Sequence, residues 1–122
     1  KEEDDRLAVL DAATSGNSKF FLGTDSAPHS RSKKESGCGC AGIFSAYNAL
    51  ELYVEIFDNQ NKLDEVEAFT SFFGADFYGL NRNHEKTTLV KKETRIPEAI
   101  PFGDDKLVPL SAGNACSWQV KF

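Results

Sequence analysis

Apolar residues recur at helical spacing along parts of this chain and run together in one short block, and that contrast sets the predicted elements. Residues 2–13 predict a helix. Glu2, Glu3, Asp4 and Asp5 crowd its first turn, where the dipole favours anions, and Leu7 and Leu10 share a face. Ser15-Gly16-Asn17 supplies a stop and a turn. The block Lys19-Phe20-Phe21-Leu22-Gly23-Thr24 predicts a strand buried on both faces, of the kind found in parallel sheets, with Asp25 at its C-terminal end. Residues 26–40 are polar, rich in Ser and Gly, and carry a basic cluster at Arg31, Lys33 and Lys34. A loop of that length inside a compact protein is functional or disordered.

After Gly42 the periodicity returns. Ile43, Ala46, Tyr47, Leu50, Val54 and Phe57 form one wide stripe and predict a helix, which Asp58-Asn59-Gln60-Asn61 breaks. A further helix carries Leu63, Val66, Phe69 or Thr70, and Phe73, and is predicted to stop at Gly74. The remainder is less regular: residues 87–90 predict a short strand, Pro97, Pro101 and Pro109 punctuate, and residues 114–120 predict a closing strand. No internal repeat, low-complexity tract or interdomain linker interrupts residues 1–122, which therefore read as one domain segment. The order of helix, buried strand, long loop, helices and irregular tail reads as the end of an α/β protein.

Composition narrows the function classes. The 122 residues (13.4 kDa) carry 19 acids against 14 bases, a formal charge of -5. That balance argues against a sequence-blind nucleic-acid binder and against a polybasic membrane anchor. No apolar run approaches the roughly 20 residues that span a bilayer. Lys1-Glu2-Glu3-Asp4-Asp5-Arg6 has the look of neither a secretory signal nor a transit peptide. With 40% hydrophobic residues and 10 Phe the chain can fold. It contains no Met, even at position 1, so a piece of a longer polypeptide is expected. Cys38 and Cys40 stand too close for a relaxed disulfide and lack zinc-knuckle spacing, so plain thiols in a reducing compartment are expected for them and for Cys116.

The candidate chemistry begins at Asp25. In parallel α/β barrels the C-terminal tips of the strands face the active site. Asp25-Ser26-Ala27-Pro28-His29 puts an imidazole four residues past the carboxylate, with Pro28 stiffening the approach. Both side chains could address one ligand. Spacing alone equally fits an Asp capping a turn and a solvated loop His.

Longer motifs separate these readings. Gly23-Thr24-Asp25-Ser26-Ala27-Pro28-His29, then Arg31, Lys34-Glu35 and Cys38-Gly39-Cys40-Ala41-Gly42, resemble the C-terminal part of a dihydroorotase of the stand-alone bacterial and plant type. Glu67-Ala68-Phe69-Thr70-Ser71, Phe77-Tyr78-Gly79-Leu80, Leu107-Val108-Pro109 and Ala112-Gly113 extend the resemblance over most of the chain. Tyr47 stands where the family more often has Pro, and Phe73 where Asn is frequent. Neither departure touches the chemistry.

The resemblance implies an α/β fold, the C-terminal part of a (β/α)8 TIM-like amidohydrolase barrel. Residues 20–24 would be its last strand, followed by the active-site loop, helices and C-terminal tail. It implies dihydroorotase activity: reversible cyclisation of N-carbamoyl-L-aspartate to L-dihydroorotate in pyrimidine biosynthesis. Two zinc ions with a bridging hydroxide would serve each active site. On the same resemblance Asp25 is a metal ligand and the general acid/base, His29 contacts the substrate carboxylate, and Ala41 contacts the substrate through its backbone. The other zinc ligands would lie upstream, so this chain alone is expected to be inactive. A homodimer in the cytoplasm, or in a plastid for a plant-type source, completes the expectation, with no nucleic-acid or membrane partner. The alternatives are a non-catalytic dihydroorotase-like partner protein and an amidohydrolase acting on another cyclic amide. For Cys38-Gly39-Cys40, loop geometry and packing without metal is the expectation. The basic cluster reads as a solvated face, or as a positive field for an anionic substrate.

Overall fold

The computed structural model describes residues 2–37 and 39–122 and resolves them into two compact units. One comprises residues 2–23, Tyr53–Thr88 and Phe122; the other comprises Thr24–Leu52 and Leu89–Lys121. Cys38, part of the Cys-Gly-Cys motif, lies outside the described residues.

The first unit is helical. Helix α1 (Glu3–Thr14) follows the acidic N-terminal pattern: the Glu2 N–H donates to Asp5 Oδ2 at 3.1 Å, satisfying one of the amides that a helix start leaves unpaired. Its apolar face is weaker than the spacing predicts, because Leu7 and Val9 are exposed while Thr14 is buried. Thr14 turns its hydroxyl onto Leu10 O at 2.9 Å, which lets a polar residue sit in that place.

Residues 20–24 correct the sequence expectation: they form no strand and join none of the two-stranded ladders. A doubly buried strand needs a hydrogen-bonding neighbour on each side, and among the described residues none lies alongside. Leu22 instead donates its N–H to Phe69 O at 3.1 Å.

That carbonyl belongs to a π-helical turn, Ala68–Phe72, where the wider i→i+5 winding departs from the α ladder. Around it lies the core of the unit. Phe57 and Phe69 are buried with ring centroids 5.2 Å apart, and Tyr53 stands 5.6 Å from Phe69. Helix α4 (Phe73–Tyr78) runs through Gly74 and ends at Gly79 instead, a second correction. Gly74 is a close-approach position, since a β-carbon there would meet the Phe21 ring at 3.2 Å. Gly79 has φ 67, and Leu80 N–H donates to Ala75 O at 2.9 Å, the left-handed cap that glycine favours. Arg82 then pairs with Asp76 at 2.7 Å and stacks 4.2 Å over Phe72.

The second unit holds the loops and strands. A short helix, α2 (Arg31–Lys34), interrupts the polar stretch read as irregular. The helix expected directly after Gly42 starts later, because Ile43 and Phe44 make parallel bridges to Ser26 and Pro109. A 3-10 turn (Ala46–Asn48) leads into α3 (Ala49–Asn59), which carries Val54 and Phe57 into the first unit's residues. Ile43 and Tyr47, the early members of the stripe, are exposed.

Strands β1 (Thr88–Val90), β2 (Thr94–Arg95), β3 (Ile100–Phe102), β4 (Asp105–Leu107), β5 (Ala115–Cys116) and β6 (Gln119–Lys121) pair as β1–β6, β2–β5 and β3–β4. The closing strand expected over residues 114–120 is thus split into β5 and β6. β3 and β4 form an antiparallel hairpin with Phe102 opposite Asp105, closed by Gly103 and Asp104. Ile96, Leu107 and Cys116 are among the buried apolar residues of the second unit. Among the described residues no helix is long and apolar enough to cross a membrane.

Phe57 is fully buried, so Phe57→Ala is expected to lower the stability of the complete polypeptide by about 3–5 kcal/mol. Denaturant unfolding followed by circular dichroism reads it, and a loss under 1 kcal/mol would contradict the assigned core.

Candidate functional site

The stretch from Thr24 to Phe44 folds back on itself, and its closure places each candidate residue. Ser26 bridges Ile43 in parallel, and Ala27 donates its N–H to Ile43 O at 2.9 Å. Ser26 Oγ accepts the N–H groups of Ser45 and Ala46, each at 3.1 Å. This hydroxyl caps the following 3-10 turn from a position remote in sequence. Ser45 Oγ in turn donates to Thr24 O at 3.2 Å, so hydrogen bonds flank Asp25 on both sides.

Asp25 itself is exposed, at φ 44. A left-handed backbone at a non-glycine residue costs roughly 1–2 kcal/mol, and Asp is among the residues that tolerate it best. Among the described residues nothing hydrogen-bonds its carboxylate. Three residues on, Pro28 holds a three-residue turn in which His29 N–H donates to Ala27 O at 3.0 Å; the fixed proline φ suits that turn. His29 is half-buried and lines a cavity of about 250 Å³ together with Ala27, Arg31, Gly42, Phe44 and Val108. Neither Asp25 nor Ala41 is among the residues lining it; both are exposed.

Gly42 permits the closure. Its φ is 103, and a β-carbon there would stand 2.3 Å from the Ala27 β-carbon, so any side chain would collide.

Two members of the basic cluster, Arg31 and Lys34, are engaged within the loop. Arg31 pairs with Glu35 at 3.0 Å. Lys34 Nζ donates to Cys40 O, and to Gly42 O at 2.6 Å, the carbonyls on either side of Ala41. Helix α2 is anchored at its start by Asp105 of β4, which accepts the Ser32 hydroxyl and, at 3.3 Å, the Ser32 N–H. The Ser32 hydroxyl, followed by the Lys106 N–H, holds the Asp105 carboxyl below the ordinary carboxylate range.

Ser26, Lys34, Gly42 and Asp105 thus support the site, and the sequence reading assigned none of them that work. Gly42 was signalled only by its place beside Ala41. Asp105 lies 73 residues from Ser32, and no local pattern points to it.

A free, exposed carboxylate is a hard donor suited to a divalent metal as one ligand of several. Among the described residues no group of three or more His, Cys, Asp or Glu side chains comes together to hold an ion. Asp25 therefore fits a metal centre whose other ligands stand on other segments, since a catalytic zinc takes about three protein ligands.

The chain is similar over nearly its whole length to curated dihydroorotases. It is 60% identical over 120 residues to that of Microcystis aeruginosa and 56% identical over 121 residues to that of Methylobacillus flagellatus. These matches cover 98% and 99% of the chain, and in each the chain spans 35% of the relative's length. Its fold matches the solved dihydroorotase of Saccharomyces cerevisiae, in complex with 5-fluoroorotic acid, with TM-score 0.92 and 38% identity over 99% of this chain and 35% of that one. It matches the Campylobacter jejuni dihydroorotase with TM-score 0.84 and 31% identity over 100% of this chain and 35% of that one. No family model matches the chain.

Gly42→Ala is expected to destabilise the complete protein by about 3 kcal/mol or more, from collision and backbone strain together. Adding Ala27→Gly removes the collision and should restore all but the roughly 1–3 kcal/mol of strain. Thermal unfolding of the single and double variants checks this, and no recovery in the double would refute the assigned contact.

The lowered carboxyl of Asp105 sets a sign for pH. Its contacts stabilise α2 fully above the unfolded carboxylate pKa of about 4, and this is lost as pH falls through the lower folded value. Protection of the Ser32 amide against exchange should therefore fall in acid below about pH 4, and Asp105→Asn should abolish that dependence. An unchanged profile in the variant would exclude Asp105 as the source.

Proposed function

Because this chain is a segment of the dihydroorotase family spanning about a third of its relatives' length, we propose that it supplies one wall of a dihydroorotase active site. The observation that carries this reading is 60% identity over 120 residues, a span that takes in Asp25, His29 and Ala41. On this reading residues 20–24 become the last strand of an amidohydrolase (β/α)8 barrel once neighbouring strands from the rest of the polypeptide lie beside them. Residues 1–122 then belong to one barrel domain. The complete protein interconverts N-carbamoyl-L-aspartate and L-dihydroorotate. The 5-fluoroorotic acid of the yeast structure, a ring carrying a carboxylate, supports that class of ligand.

Bound zinc, two ions per active site, supplies a nucleophile at neutral pH and polarises the amide carbonyl. Asp25 does the remaining proton work. Its carboxylate would be one of the groups that hold the metal. The same carboxylate takes a proton from the attacking water and delivers it to the ring nitrogen as the amide bond breaks. Cyclisation reverses the order: the Asp25 carboxylate removes the proton from the nitrogen as it closes on the carboxyl carbon, and returns it to the carboxyl oxygen, which leaves as water when its bond to that carbon breaks. A left-handed residue held between the Ser45–Thr24 bond and the Ser26 cap has few ways to reorient, which suits a group that must reach two partners.

His29 lines the cavity beside Ala27 and Phe44, and on this reading its imidazole N–H donates to the substrate carboxylate, a charge-assisted bond. Ala41 brings no polar side chain, so its contact runs through the backbone, which Gly42 lets come close. Zinc as the metal, the homodimer and a cytoplasmic or plastid location belong to the same proposal.

In the complete enzyme Asp25→Asn should lower kcat by about a thousandfold or more. His29→Ala should raise KM by about tenfold or more, with kcat within a few-fold. Steady-state hydrolysis of dihydroorotate with bound zinc measured in parallel tests both. Turnover retained by Asp25→Asn would remove the mechanism.

A further inference from the structure

We propose that Lys34 is a positioning residue for substrate binding, fixing the backbone of Ala41 by holding the carbonyls on either side of it. The inference rests on the reading that Ala41 meets the substrate through its backbone. Lys34 Nζ donates to Cys40 O and Gly42 O, so two of its three N–H groups are directed at the carbonyls of the residues before and after Ala41. The segment needs such a hold. Gly39 and Gly42 both take positive φ, at 50 and 103, and Ala41 is exposed. Glycines on either side give the intervening backbone wide freedom unless something outside the segment fixes it.

The hold is itself anchored. Lys34 is the last residue of α2, its N–H donates to Ser30 O at 3.0 Å, and Asp105 grips the start of that helix through Ser32. Ala41 is thereby tied through Lys34 and α2 to the β3–β4 hairpin. The same helix starts two residues after His29, with Ser30 between them. One short element therefore sets both groups assigned to the substrate.

The competing role for a lysine in this place is a positive field that attracts an anionic substrate. The two roles differ in range: a field is screened by salt, whereas a bonded ammonium acts at contact.

The test uses the complete enzyme. Lys34→Met keeps the stem and removes the donors; Lys34→Arg keeps charged donors. Lys34→Met should raise KM for dihydroorotate about tenfold, with kcat within about threefold and zinc content unchanged. Lys34→Arg should recover KM to within about threefold of wild type. The ratio of KM between Lys34→Met and wild type should not change between low and high salt.

A KM within about twofold of wild type in Lys34→Met would overturn the proposal. So would a ratio that shrinks as salt rises, or a loss of zinc and kcat in step with KM. If Lys34→Met does not fold, Asp105→Asn takes its place. It loosens α2 while leaving Lys34 intact, and it should raise KM about threefold; no rise overturns the proposal. His29→Ala separates the two levels of inference. A raised KM there with a normal KM in Lys34→Met sinks the positioning role alone. Normal KM values in both sink the binding assignment of the loop as well.

Discussion

Gly42 and Ala27 come so near each other that a β-carbon at 42 would lie 2.3 Å from its neighbour, and the loop depends on that approach. Because nothing projects from Gly42, Ser26 can bridge Ile43 and Ala27 can bond its carbonyl. Ser26 is then placed to receive two amides of the following helical turn, and Phe44 to bridge Pro109 while its carbonyl accepts the Leu110 N–H. Asp25 and His29 flank this crossing point on either side. Their positions are set by backbone closure first and by their own side chains second, which is why the supports are small: a hydroxyl, a missing methyl, a proline ring.

The parts of the fold carried by local signals were legible in the sequence. The acidic start of α1, the Val54 and Phe57 end of the α3 stripe, and the strand beginning near residue 88 all follow from charge or periodicity within a few residues. The errors arose where partners are distant. Residues 20–24 have the composition of a buried strand, yet a ladder is a property of neighbours, and among the described residues none lies beside them. Ile43 and Phe44 match helical spacing but are taken by bridges to Ser26 and Pro109. Gly74 and Gly79 both resemble helix stops, and only tertiary contact separates them, since Phe21 occupies the space over Gly74. Of the site, Asp25, His29 and Ala41 were named from longer motifs, whereas the residues that hold them in place came only from the structure.

Charge tells a similar story on a smaller scale. The chain as a whole is acidic, and Arg31, Lys33 and Lys34 stand out as a basic cluster against that background. Counting charges suggests a solvated or electropositive face. The geometry instead spends Arg31 on Glu35 and Lys34 on two backbone carbonyls. An exposed ion pair such as Arg31–Glu35 adds little stability, but an ammonium bonded to two peptide oxygens restricts a glycine-rich segment that has few other constraints.

The grip of Asp105 on Ser32 also has a temporal side. The two residues are 73 positions apart, and a ribosome adds roughly 5–20 residues per second, so the loop emerges about 4–15 s before its anchor is made. During that interval α2 is four residues long with nothing at its start, well short of the length at which an isolated helix holds itself. The loop from Ser26 to Gly42 thus takes its final shape only after residue 105 has been made, whatever has already folded before it.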